Sequence, residues 1–324
     1  MLELVIASGK GGVGKSTVSS SILHYMHGEG REVFAVDADV EAPNLHLIFG
    51  IKEWKVEKPY SEGWVAKIDR ARCDECGICR AECPFRAISV KDGRHVINEV
   101  ICEGCLTCSL VCPRRAIYRV RVDEGVVRAG NTGYGFGIAG AKLRVGRPNS
   151  GKLVTEVKNL AKEIGGSKPT YIVDAPAGIG CSVVSALAGS NGVVLVVEPT
   201  PASLADVKRL HRLAKHFMLP SALVINKADI NPEFADEILR WAKEENIYYL
   251  GSVPYDDVVP KSMVAMKPLL EYAPNSKAAI ALREISKKFM EVLVDGWREW
   301  FRTYKPKKPE PYIPLIIKPS QNIK

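Results

Sequence analysis

The chain of 324 residues has no run of about 18 uncharged apolar residues, so no membrane-spanning helix is predicted. No leader is expected either: Met1 passes directly into residues 2–7, apolar except for Glu3, and a glycine loop follows within ten residues. Isolated cysteines are nearly missing. Eight of the nine fall into two clusters with C-x2-C spacing, which in a chain without a signal points to metal ligation and away from disulfides. These absences place the protein in the cytoplasm with no membrane partner. What is present is an apolar share of 46%, enough for a packed core, and a length that suits one large α/β domain or two to three smaller ones.

The net charge of +8 is concentrated at the C-terminus. Residues 297–324 carry Arg298, Arg302, Lys305, Lys307, Lys308, Lys318 and Lys324 against Glu299 and Glu310 only. Such a tail suits an acidic partner or nucleic acid. A solvated extension is the ordinary role of a charge run, so a nucleic-acid partner is not expected.

The clustered cysteines form two copies of C-x2-C-x2-C-x3-C-P. Cys73, Cys76, Cys79 and Cys83 precede Pro84; Cys102, Cys105, Cys108 and Cys112 precede Pro113, each 29 residues after its counterpart. The run resembles the ligand sequence of a bacterial-type ferredoxin with two [4Fe–4S] clusters, in which the fourth cysteine of each run serves the other cluster. That assigns Cys73, Cys76, Cys79 and Cys112 to one cluster, and Cys102, Cys105, Cys108 and Cys83 to the second. Zinc is the competing metal for C-x2-C pairs, but duplicated four-cysteine runs ending in Cys-Pro disfavour it. The segment has eleven Lys/Arg against nine Asp/Glu, so its charge is read either as ordinary surface balance or as a site for an acidic redox partner.

A second motif lies at the N-terminus. An apolar run is followed by Gly9-Lys10-Gly11-Gly12-Val13-Gly14-Lys15-Ser16-Thr17 and then a helical stretch over residues 18–27, which is the P-loop pattern in its required context. The glycines let backbone N–H groups turn toward phosphates, Lys15 reaches the β- and γ-phosphates, and the Ser16 hydroxyl ligates Mg²⁺. Further apolar runs end at Asp37-Ala38-Asp39, at Asp174-Ala175-Pro176-Ala177-Gly178, at Glu198 and at Asn226-Lys227-Ala228-Asp229. Carboxylates at the ends of parallel strands face the ligand crevice; a helix cap is the alternative role for any one of them. The alternation of strands and helices argues for a parallel sheet flanked by helices.

With Lys10 included, the P-loop resembles that of the MinD/ParA/Mrp/nitrogenase-iron-protein group of ATPases. The resemblance implies an α/β P-loop fold with a mostly parallel sheet, here interrupted by a small α+β ferredoxin domain. The expected division is an ATPase domain at 1–63 and 128–295, the insertion at 64–127, and a basic, Pro-rich extension at 296–324. It also implies an ATP-dependent homodimer in which Lys10 reaches the partner's nucleotide. Asp39 is expected to position the attacking water, Asp37 to act near Mg²⁺, and Asp174 to be the Walker B aspartate. Gly178 would offer an N–H to the γ-phosphate, and Asn226 would read adenine. Residues Gly11, Gly12, Val13, Gly14, Lys15, Ser16 and Thr17 complete the nucleotide site. Asn226-Lys227-x-Asp229 alone would also suit guanine, but the P-loop favours ATP. Residues 40–63 fall where a switch I segment lies in related ATPases.

Cys181, seven residues after Asp174, resembles the cluster-ligating cysteine of nitrogenase iron protein, but this chain has no further cysteine to complete a shared site. It is read either as a small buried residue at a helix start or as an interface ligand. The glycine-rich stretch 130–140 is read as a hairpin and not as a phosphate loop. Two functions remain open: ATP-gated electron transfer through two [4Fe–4S] clusters, and ATP-dependent cluster assembly or carriage of the Mrp type. Either needs ATP, Mg²⁺ and a redox or iron–sulfur acceptor protein. A membrane-positioning role like that of MinD is discounted, because prolines every few residues from Pro306 cannot form an amphipathic helix.

Overall fold

The computed structural model describes residues 1–144 and 151–307. Asn149 and Ser150, and the tail from Lys308 with Pro309, Pro311, Pro314 and Pro319, lie outside the described residues. The strands are β1 (Leu2–Ser8), β2 (Val33–Asp37), β3 (Ile51–Tyr60), β4 (Trp64–Ile68), β5 (Ile88–Lys91), β6 (Arg94–Ile97) and β7 (Ile117–Arg121). They continue as β8 (Gly125–Thr132), β9 (Gly137–Leu143), β10 (Thr170–Ala177), β11 (Gly192–Val197), β12 (Ser221–Asn226) and β13 (Tyr248–Val253). The helices are α1 (Lys15–Gly28), α2 (Leu45–Ile48), α3 (Ile78–Ala81), α4 (Thr107–Leu110), α5 (Gly151–Gly165) and α6 (Cys181–Leu187). After them come α7 (Pro201–His216), α8 (Pro232–Glu244), α9 (Val258–Val264), α10 (Leu269–Tyr272), α11 (Lys277–Lys288) and α12 (Trp297–Tyr304).

Nine strands form one sheet in the order β13-β12-β11-β1-β10-β2-β9-β8-β3. From β13 to β9 all pairings are parallel; β8 is antiparallel to both β9 and β3. The central strands are apolar throughout because both faces are covered. Alternate residues of β1 enter opposite layers: Val5 and Ala7 pack with α5 to α8, Leu4 and Ile6 with α1, α10 and α11. The parallel register sets Ile6 beside Asp174 and Asp174 beside Asp37, so the chemistry-bearing strand ends meet on one edge of the sheet.

Residues 40–63 are not a bare loop. They carry α2 and the ten-residue edge strand β3. The glycine-rich stretch forms the β8–β9 hairpin, and β8 starts at Gly125, so the segment with its own strands ends at Arg121, six residues short of the expected boundary at 127. This segment leaves β3 after Tyr60 and returns at Gly125, two residues that pair with each other at the crevice end of the sheet. It contains two two-stranded sheets, β4–β7 and β5–β6, and two one-turn helices. Its separate apolar cluster of buried residues is only Ala66, Cys79, Ile88, Cys108 and Ile117.

The C-terminal boundary also shifts. Residues 297–304 form α12, whose Trp300 is 3% exposed and lies so close to Gly192 that a Cβ there would strike its ring. The expected extension at 296–324 therefore begins inside the folded body. Local sequence gave no warning, because prolines dominate the segment only after Tyr304. Replacing Trp300 with Ala should cost about 3 kcal/mol, the usual penalty for a large aromatic removed from a core; urea denaturation that leaves the midpoint unchanged would show α12 to be dispensable.

Candidate functional site

The P-loop runs over residues 9–14 between β1 and α1, with Gly12 and Gly14 at φ +79° and +94°, in the left-handed region that favours glycine. Gly14 is doubly constrained, since a Cβ would collide with the Asn226 amide. The Ser8 hydroxyl donates to the Lys10 carbonyl (2.7 Å), and the N–H of Gly178 donates to the Ser8 carbonyl (2.9 Å).

Asp174 is the centre of the arrangement. Its carboxylate accepts from the hydroxyls of Ser16 (2.7 Å) and Ser19 (3.0 Å), which lie three residues apart on one face of α1. Burial pushes the Asp174 carboxyl up to about 7, with the nearby Asp37 adding to the rise, while Ser16, Lys15 and Ser19 pull it down. Asp37 is also raised by burial, against the pull of His46 and the backbone N–H of Leu45. That N–H donates to Asp37 Oδ2 (3.1 Å), whereas Asp37 Oδ1 is buried without a partner among the described residues. Asp39, half-buried, is raised by burial against the opposing charge of Lys15. Three carboxyls held up by desolvation, two hydroxyls and the buried Lys15 form a site short of positive charge, which a divalent cation would supply.

The structure therefore brings Lys15, Ser16, Asp37, Asp39 and Asp174 together. Lys10 is exposed beside them and has no ion pair among the described residues. Two expected contacts are occupied differently. Gly178 gives its N–H to Ser8, and Asn226 donates to the Val13 carbonyl (2.8 Å) while accepting from the Lys227 N–H (3.0 Å), so it braces the loop. Asp229 accepts from the Tyr255 N–H and faces Lys277 at 3.5 Å, which leaves it committed to the loop after β13 and not to a base. Ser19 and His46 were missed. A second hydroxyl at the i+3 position after Ser16 was the available signal for Ser19; His46 offered none.

The cysteines sort into two cavities. One is lined by Cys73, Cys76, Cys79 and Cys112, with His95 and Arg114; the other by Cys83, Cys102, Cys105 and Cys108, with Phe85 and Leu106. The space enclosed is small, about 10 Å³ in each. Among the described residues no group of three His, Cys, Asp or Glu side chains is placed to hold a metal ion. Backbone N–H groups of Ala87, Ala116 and Ala66 donate to Cys83, Cys112 and Cys102 Sγ at 3.3, 3.3 and 3.5 Å. Burial pushes the Cys108 thiol up to about 11, and the neighbouring Cys102 and Cys105 add to that. Cys181 does start a helix, α6, but it is exposed, which removes the buried-residue reading.

The sequence profile of the CobQ/CobB/MinD/ParA nucleotide binding domain matches residues 4–269. The chain belongs to that family. An uncharacterized protein of Methanocaldococcus jannaschii is 35% identical over 298 residues, covering 90% of this chain and 98% of that protein. The septum site-determining protein MinD of Bacillus subtilis is 23% identical over 295 residues, covering 89% and 88%. Among solved structures, MinD of Pyrococcus horikoshii complexed with Mg-ADP overlays with a TM-score of 0.57 at 19% identity, covering 91% of this chain and 98% of that one. The α/β P-loop fold and nucleotide binding are thereby established for this family member. No helix among the described residues is long and apolar enough to cross a membrane.

The raised carboxyls fix a pH dependence. A carboxyl whose folded value lies above its unfolded one stabilises the fold least when ionised. Stability of the nucleotide-free protein should therefore fall as pH rises from about 4 through about 7. Asp174→Asn should flatten much of that slope in urea titrations across pH, and a slope that persists unchanged would relocate its origin.

Proposed function

We propose that this protein is an ATP-hydrolysing iron–sulfur protein in which nucleotide state is coupled to electron transfer through two [4Fe–4S] clusters. The observation that carries the cluster half is the sorting of eight cysteines into two four-cysteine cavities, each with three thiols from one run and the fourth from the other. Three physical points support iron–sulfur clusters over zinc. A zinc ion draws four sulfurs to about 2.3 Å from one point, whereas among the described residues no three thiols converge closely enough to hold a single ion. The Cys108 thiol, with its raised proton affinity, needs a strongly positive centre to ionise it. The N–H groups aimed at Cys83, Cys112 and Cys102 are the outer hydrogen bonds that tune cluster sulfur. A buried core of five residues, two of them cysteines, is also too small to hold the segment without a staple.

For the nucleotide half, Lys15 and the P-loop N–H groups would bind the phosphates, and Ser16 with Asp174 would hold Mg²⁺. Asp39 would place the attacking water. The exposed Lys10 supports an ATP-dependent homodimer in which it reaches the partner's nucleotide. Gly178 would have to leave Ser8 to contact a γ-phosphate, which makes residues 175–180 the switch. The Mg²⁺ supplies charge stabilisation at the phosphates, and the clusters, when bound, supply one-electron storage. Cys76 and Cys105 are exposed, so each cavity opens toward an acceptor protein.

Two measurements test this reading. Anaerobic iron and sulfide loading should give about eight irons per chain. Cys73→Ser combined with Cys112→Ser should cost one cluster, while Cys73→Ser combined with Cys83→Ser should cost both; equal losses from the two pairs would refute the crossed assignment. Lys15→Ala should slow ATP hydrolysis by about a hundredfold or more. If, with ATP and an apo-acceptor or an oxidised acceptor, iron leaves the protein instead of electrons, cluster delivery replaces electron transfer as its function.

A further inference from the structure

Five strand spacings, roughly 24 Å, separate β1, which leads into the P-loop, from β3, where the cysteine segment leaves the sheet. Contact between the P-loop and the cysteine segment is therefore not the route of communication. At the neck of the segment, residues 60–63 and 122–125 lie side by side and are clasped by one carboxylate. Buried Glu124 accepts from the N–H groups of Glu62 (2.9 Å) and Gly63 (2.8 Å) through the same oxygen. A Cβ at Gly63 would lie 2.5 Å from Glu124 Oε1, so a larger residue there would push the carboxylate aside. The Ser61 hydroxyl donates to the Val122 carbonyl (2.7 Å), and the N–H groups of Val122 and Glu124 donate to Gly63 and Tyr60. Just beyond, a Cβ at Gly104 would collide with the Trp64 carbonyl, and the Ala66 N–H reaches Cys102 Sγ. The orientation of the neck is thus the orientation of the second cysteine cavity.

The neck also touches α5. Lys152, in the first turn of α5, pairs with Glu62. Beside it Gly151 is pressed against α6, where a Cβ would lie 2.5 Å from Ser185 Oγ and 2.7 Å from the Cys181 carbonyl. Cys181 opens α6 directly after residues 175–180. The other end of α6 is pinned: the buried Lys158 ammonium, on α5, reaches the carbonyls of Ser185, Ala186 and Ala188 (3.1, 2.8 and 2.7 Å) and pairs with Glu3 of β1 (2.8 Å).

We propose that the first turn of α5 is a coupling strap that carries the state of the loop after Asp174 to the Glu124 clasp at the neck of the cysteine segment. The inference rests on the nucleotide-switch reading above. When the Gly178 N–H moves from Ser8 to a γ-phosphate, α6 has to adjust. Lys158 fixes its C-terminal end, so the displacement is concentrated at Cys181. Gly151 has no slack there, and Lys152 passes the shift to Glu62, one of the two amides that Glu124 holds.

The test is amide hydrogen exchange of the anaerobically loaded full chain with ADP and with a non-hydrolysable ATP analogue. Exchange at Glu62 and Gly63 should differ between the two nucleotides by about tenfold. Gly151→Ala should reduce that difference to less than about twofold, and Glu124→Gln should speed exchange at both amides in both states. Lys152→Glu should weaken the response, and pairing it with Glu62→Lys should restore it. If residues 9–17 respond to the nucleotide while Glu62 and Gly63 do not, the strap is overturned and nucleotide switching survives. If neither region responds, both fail. A nucleotide response at the neck in protein that holds no visible iron–sulfur absorbance would support the strap and sink the cluster assignment alone.

Discussion

The structure depends first on a carboxylate in the wrong solvent. Asp174 sits at the end of a central strand, out of water, and is kept there by two hydroxyls of α1 and the charge of Lys15. Those two bonds tie the helix that follows the P-loop to the strand that carries Asp174 and ends at Ala177. They also set the charge balance of the site: with Asp37 and Asp39 nearby, the pocket is short of positive charge, which a divalent cation would supply. A site built this way is stable enough to fold and incomplete enough to respond to its ligand.

The cysteine segment is built on the opposite principle. It has almost no apolar core, and its geometry is set by turns, by left-handed residues such as Gly77 and Leu106 that open its one-turn helices, and by thiols facing shared voids. It is attached where the main sheet is least constrained, at the antiparallel edge formed by β3 and β8. The two parts meet through a narrow neck held by the Glu124 carboxylate on two N–H groups and by the Ser61 hydroxyl on the Val122 carbonyl.

Much of the site was legible because its motifs are local. The P-loop needs nine consecutive residues and the cysteine runs need eleven each, and the ferredoxin resemblance of those runs supplied the crossed grouping. Asp37, Asp39 and Asp174 followed from apolar runs ending in carboxylates. Asn226 and Gly178 were found by position, but their present bonds were not, because both partners, Val13 and Ser8, offer backbone carbonyls that no pattern marks. The exposure of Cys181 and the burial of Trp300 depend on which distant element lies opposite, Gly151 in one case and Gly192 in the other.

By itself the sequence determined which residues carry chemistry: a phosphate loop, carboxylates at strand ends, and two runs of thiols, each marked by residue type at short separation. The tertiary structure decided how these parts can affect one another. Glu124, Lys152, Gly151 and Lys158 belong to no motif, and they become significant only when distant chain folds against them: Glu62 lies 62 residues from Glu124 and 90 from Lys152, and Glu3 lies 155 from Lys158. Contacts of that range are set by packing, which follows shape and burial across the whole chain and leaves no periodic trace along it.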